Sequence, residues 1–438
     1  MATLAVSLAL GLAGAAGCGE PAPREPVVLE LWALGREGEV VQELLPEFER
    51  RNPGVRVEVQ QIPWSAAHEK LVTAYAGDAM PDVAQIGNTW ISEFVALAAL
   101  EPLDDRVAAS DAIAPGEYFD GIWETNRVDG AMYGIPWYVD TRVLFYRSDV
   151  LAEVGVETPP DTWEGWVEAL RRIDARAEEE AGPGAEGWAI LLPLNEWAQP
   201  VLLGVQTGSP LLREEGRYGA FRDRRFRRGF EFYVGLFREG LAPPVTATQA
   251  GSLFQAFSDG WISAFISGPW NVGELRRRLP ESRQDDWATT PLPAFDRPGP
   301  GMSLAGGSSL AIFRGSAHAD LAWKLIEHLS SPERQVRFYE LTGNLPARRA
   351  AWRAPELVRD RQMLTFFEQL RHVQPMPAVP EWEQIATAVA DHAEAAVRGR
   401  MTIDEALASL DASVDRILEK RRWMMDRQEE STGDEGGR

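Results

Sequence analysis

The sequence predicts an α/β protein of two domains built on parallel, doubly wound sheets, and three observations carry that expectation. The chain has 438 residues, more than one hydrophobic core usually organises. Its composition, 45% hydrophobic and 25% charged, is that of a soluble globular protein. From residue 27 onward the hydrophobic period alternates between that of a strand and that of a helix, and this alternation gives a parallel sheet with helices on its faces.

Val27 to Ala33 is a short, mostly apolar run of the kind that forms a buried strand. Val40, Val41, Leu44, Leu45 and Phe48 then line one helical face, and Asn52-Pro53-Gly54 ends it. Val55, Val57 and Val59 alternate with Arg56, Glu58 and Gln60, which predicts a half-buried strand. Leu71, Val72 and Tyr75 mark the next helix, and Asp82 to Ile86 the next strand. Tyr133 to Arg147 reads as extended chain, with Val143 and Phe145 in strand. Trp163 to Arg176 is an amphipathic helix with Asp161 or Thr162 available as its cap. Further helical faces run through Phe226, Phe230, Tyr233, Val234 and Phe237, and through Leu321, Leu325, Ile326 and Leu329, the latter closed by Ser331-Pro332. A capping box, Thr402 with Glu405, opens the last helix. The polar tail from about Asp426 to Arg438 is expected to be disordered.

The N-terminus points out of the cytoplasm. Residues 2–17 are small or apolar except Thr3 and Ser7, too short a run to span a bilayer and suited to a signal peptide. The run ends at Cys18, the sole cysteine, in a pattern that resembles the bacterial lipobox, in which that cysteine is lipidated. Ala15 stands where the lipobox prefers leucine, and a plain cleaved signal is the alternative. Residues 19–26 then read as a tether. The net charge of −22, from 44 basic and 66 acidic residues, disfavours nucleic acid or an anionic membrane surface as partner.

Several segments, in order and at consistent intervals, carry a resemblance. They include Phe48-Glu49-Arg50-Arg51-Asn52-Pro53-Gly54-Val55, Pro81-Asp82-Val83, Gly87-Asn88-Thr89-Trp90 and Leu100-Glu101-Pro102-Leu103-Asp104. They continue with Tyr133-Gly134-Ile135-Pro136-Trp137, Leu144-Phe145-Tyr146-Arg147, Pro160-Asp161-Thr162-Trp163 and Ser267-Gly268-Pro269-Trp270. Together they resemble the family 1 extracellular solute-binding proteins, the sugar-capturing subunits of bacterial ABC importers. The resemblance implies the type II periplasmic binding fold: two hinged lobes, each discontinuous in sequence. It places residues 27–137 and 307–335 in one lobe and 138–306 and 336–425 in the other. It also implies a neutral mono- to oligosaccharide ligand, an ABC permease partner, a monomer held outside the cytoplasmic membrane, and no cofactor. A sensor or structural lipoprotein of the same fold, without a permease, is the alternative.

A sugar offers flat C–H faces and a rim of hydroxyls, so its site needs aromatic platforms with carboxylates or amides between them. The chain has 16 tryptophans. Trp64, Asn88 and Trp90 follow predicted strands, where ligands meet a doubly wound sheet; for Trp90, core packing is equally open. The resemblance implies that Trp137, Tyr138 and Asp140 at the hinge, and Trp270, contact the sugar; a turn-capping role is the alternative for Asp140. Glu196, Trp197 and Trp382 are second-lobe candidates, with surface or packing roles equally open. Ser308 stands after Gly306-Gly307 where a maltose and trehalose binder has tryptophan, which implies a differently shaped ligand.

Enzyme chemistry finds no support. The five histidines form no His-x-x-x-His pair, one cysteine makes no thiolate cluster, and neither a Gly-x-Ser-x-Gly elbow nor a phosphate loop occurs. Two glycosidase carboxylates need only the right spacing in space, which sequence does not display.

Overall fold

A computed structural model describes residues 26–181 and 187–435. The predicted signal peptide, Cys18 and nearly all of the tether lie outside the described residues.

Val27–Leu34 forms the first strand, and its period-two alternation sends side chains to two cores. Leu29, Leu31 and Ala33 join one cluster, with Val40, Leu44 and Phe48, while Trp32 and Leu34 join another, with Leu71, Ile86 and Phe94. This strand pairs in parallel with Val55–Ile62 and with Val83–Gly87. The complete six-stranded sheet runs Leu345–Pro346, Ile135–Asp140, Gly306–Ile312, Val83–Gly87, Val27–Leu34, Val55–Ile62. The parallel expectation holds for the three N-terminal strands; Gly306–Ile312 enters antiparallel to both its neighbours.

The second sheet centres on Val143–Arg147, flanked antiparallel by Ala264–Ser267 and Trp287–Thr290. One face of it packs on the helices Trp163–Ala181, Ala198–Gln206 and Arg224–Arg238. Thr162 rather than Asp161 caps the first of these, its hydroxyl accepting the Gly165 amide at 3.2 Å.

The chain passes between sheets at residues 140–143, where Ile135–Asp140 runs on into Val143–Arg147, and returns at 303–306. Buried hydroxyls pin the two crossings together. Thr141 donates to the Leu304 carbonyl at 2.9 Å, and Ser303 donates to the Arg142 carbonyl at 2.9 Å while accepting its amide at 3.1 Å. These are the hinge strands.

Two expectations are corrected. Ser331-Pro332 ends one helix but also begins another, Pro332–Thr342, with Ser331 as cap and proline in the first turn. That helix leads into Leu345–Pro346 at the edge of the first sheet, so the chain does not leave the first lobe at residue 335. The tail is the other correction: Glu419–Glu435 is helical. Arg217 holds Asp426 and Arg427 stacks on Trp423, contacts that composition does not register.

Candidate functional site: a tryptophan-lined cleft between the sheets

Between the lobes lies a cleft of about 970 Å³. Its first-lobe wall comes from the first turns of the helices that follow the parallel strands: Arg36 and Glu37 after the first, Trp64 after the second, and Asn88, Thr89 and Trp90 after the third. This is where a doubly wound sheet presents its ligand sites. The hinge supplies Tyr138, Asp140, Arg142, Gly306 and Gly307, and the second lobe supplies Trp197, Trp270, Glu274, Arg276 and Arg277. Helix Pro332–Thr342 and the turn after it add Tyr339, Glu340 and Asn344.

Of the residues expected from sequence, Trp64, Asn88, Trp90, Tyr138, Asp140, Trp197 and Trp270 line this cleft. Trp137 does not. In a strand neighbouring residues face opposite sides, so Tyr138 and Asp140 on the cleft side turn Trp137 away, where it is fully buried and stacks on Phe338 at 4.4 Å. Trp382 is also fully buried, its ring meeting Trp197 at 5.7 Å and 83°, and so it supports a cleft residue without reaching the cleft. Glu196 lies off the wall and accepts the Ala198 amide at 3.4 Å. Ser308 is buried with its hydroxyl on the Ile86 carbonyl, so the wall there is made by Gly306 and Gly307.

Three of the four cleft indoles lie against glycines. A Cβ on Gly35 would come within 2.6 Å of Trp64, one on Gly87 within 3.3 Å of Trp90, and one on Gly268 would overlap the benzo ring of Trp270. Absence of side chains lets each ring lie close to backbone. Trp64 and Trp270 are left 39% and 42% exposed, from opposite lobes, and so present apolar faces to the cleft. Trp64 meets Trp90 edge-on at 5.8 Å, and His68 braces Trp90 at 5.2 Å while its ring contacts Glu93 at 2.6 Å. Gly268→Ala is expected to push the Trp270 ring aside and weaken ligand binding several-fold with little effect on unfolding. An unchanged dissociation constant by calorimetry would show that the ring position does not matter.

The polar groups are set between these platforms. Asn88 accepts from Ser309 at 3.1 Å through its amide oxygen, and its nitrogen has no partner among the described residues. Glu37, 7% exposed, accepts from Asn344 at 2.9 Å. Burial, with Glu37 and Asp140 nearby, holds the Tyr138 hydroxyl well above its ordinary pKa, so it stays protonated, and Gln85 donates to it at 3.2 Å. The wall carries four arginines (36, 142, 276 and 277) against four carboxylates (37, 140, 274 and 340). Despite the charge of −22 on the whole chain, the cleft is charge-balanced.

Thr89 of the first lobe donates to Glu383, at the start of second-lobe helix Trp382–Val397, at 2.6 Å. Removing it by Thr89→Val is expected to cost this arrangement of the lobes about 1.5 kcal/mol, the lower end for a hydrogen bond to a charged group, and to raise the radius of gyration in solution scattering. An unchanged radius would deny the bond any part in holding the lobes.

Sequence reasoning did not single out Arg36, Glu37, Arg142 or Asn344. The signal for the first two was present, since they follow a strand as Trp64 does. Asn344 was assigned to the wrong lobe, and Arg142 has no signature apart from its place two residues after Asp140.

Residues 32–336 match the model of the bacterial extracellular solute-binding protein family. The chain belongs to this family. The structure of the sugar-binding protein MalE from the phytopathogen Xanthomonas citri is 44% identical in sequence, with a TM-score of 0.87 over 91% of this chain and 99% of that one. Among curated proteins, the diacetylchitobiose binding protein DasA of Streptomyces coelicolor is 26% identical over 312 residues, 70% of each chain. The galactooligosaccharide-binding protein of Bacillus subtilis is 23% identical over 385 residues, 86% of each. This solute-binding protein therefore has the two-lobed, hinged type II architecture of its family.

Proposed function

We propose that this solute-binding protein captures a neutral mono- to oligosaccharide in the cleft and hands it to the membrane permease of an ABC importer. The observation that carries the reading is the pair of exposed indoles, Trp64 and Trp270, facing one charge-balanced cleft from opposite lobes. Such rings take the C–H faces of a sugar, and Asn88, Glu37 and Asp140 supply the donors and acceptors its hydroxyls need. The named relatives are binding proteins for sugars or oligosaccharides, which supports capture rather than catalysis. Lipidation of Cys18 would hold the protein at the outer face of the cytoplasmic membrane, where a permease is reached. Calorimetric titration with a panel of neutral mono- to tetrasaccharides tests the proposal. Binding of at least one member, with a shift in tryptophan fluorescence, is expected; no binding at millimolar concentration of any would overturn it.

A further inference from the structure

Asp140 and Trp270 are joined by Arg142. The Arg142 guanidinium donates to Asp140 at 2.8 Å and sits over the Trp270 ring, 4.7 Å from its centroid. It is one-fifth exposed and lines the cleft. A guanidinium centred there and a pyranose stacked on the same indole face exclude each other, because both need van der Waals contact with one surface. The Asp140 oxygen that accepts from Arg142 is likewise engaged before any hydroxyl reaches it.

Building on the sugar reading of the cleft, we propose that Arg142 is a self-occupying gate and thereby a specificity-determining residue: its side chain fills the Trp270 subsite, and a sugar enters by displacing it. Asp140 is the tether that holds the guanidinium in place, and it becomes an acceptor for a ligand hydroxyl once the guanidinium swings out. Only a ligand that both stacks on Trp270 and satisfies Asp140 recovers what the displaced pair gives up. Arg142 also lies between the hinge strands Ile135–Asp140 and Val143–Arg147, so its displacement occurs at the point where the lobes pivot.

Opposite mutational signs for the two members of one ion pair separate this gate from a merely structural pair. Arg142→Ala is expected to tighten the best neutral saccharide of the panel roughly two- to fivefold, the range for loss of a partly exposed cation–π contact, whereas Asp140→Ala weakens it. With 5-fluorotryptophan incorporated, the Trp270 fluorine resonance, assigned by Trp270→Phe, is expected to move on Arg142→Ala without sugar. It is also expected to move in the unsubstituted chain on sugar addition. A sugar bound by the unsubstituted chain but no more tightly by Arg142→Ala overturns the gate alone, as does a Trp270 resonance that Arg142→Ala leaves unmoved. A panel bound by neither protein overturns the sugar reading, and the gate with it.

Discussion

Replacing Trp270 by alanine is expected to weaken sugar binding by about 2 kcal/mol or more, roughly thirtyfold or more in the dissociation constant, the scale of a central tryptophan anchor. Trp270 is the most exposed of the four cleft indoles, at 42%, and begins helix Trp270–Arg278 on the second lobe. Losing it removes a second-lobe platform that lies on glycine and lines the same cleft as Trp64. Truncation also releases Arg142 from its stacked position, and that release partly offsets the loss. Calorimetry on Trp270→Ala and Trp270→Phe separates the effects: phenylalanine keeps an apolar face and is expected to recover part of the affinity. A dissociation constant unchanged in both variants would remove Trp270 from the site.

Asp140→Ala is expected to weaken binding by about 1.5–3 kcal/mol, the usual worth of a hydrogen bond to a charged group. Asp140 ends a strand whose cleft-facing side also carries Tyr138, and its carboxylate is one-fifth exposed. Its partner in the structure is Arg142, and among the described residues no capping bond supports the turn-capping alternative. If binding by Asp140→Ala matches the unsubstituted chain in calorimetry, the carboxylate serves only the ion pair.

Much of the fold was legible because hydrophobic period reports local structure directly. Val55, Val57 and Val59 alternate and form a strand, and Phe226, Phe230 and Tyr233 share a helical face and are buried. The order of strands was less accessible. Gly306–Ile312 opens on Gly-Gly-Ser-Ser and so carries little strand signal of its own, and its antiparallel direction follows from the chain re-entering the first sheet after crossing the hinge. Ser331-Pro332 shows the limit of local signals, since one serine–proline pair stops a helix and starts the next.

The site was partly legible for a related reason. A residue placed just after a parallel strand reaches the cleft, which found Trp64, Asn88 and Trp90. Tryptophan itself does not distinguish platform from core: Trp137 and Trp382 satisfied the same compositional argument and are fully buried. For Trp137 the strand period held the answer, because it cannot share a face with both Tyr138 and Asp140. The role of Arg142, at the hinge, depends on a ring contributed 128 positions later by the second lobe, and no spacing rule connects them.

The most direct measurement is a crystal structure of the protein with its best-binding neutral saccharide. The account predicts a sugar ring stacked on Trp270, a second contact with Trp64 across the cleft, a hydroxyl on Asp140, and the Arg142 guanidinium displaced from the indole. A sugar bound elsewhere, or held in the cleft without touching either tryptophan, would contradict it.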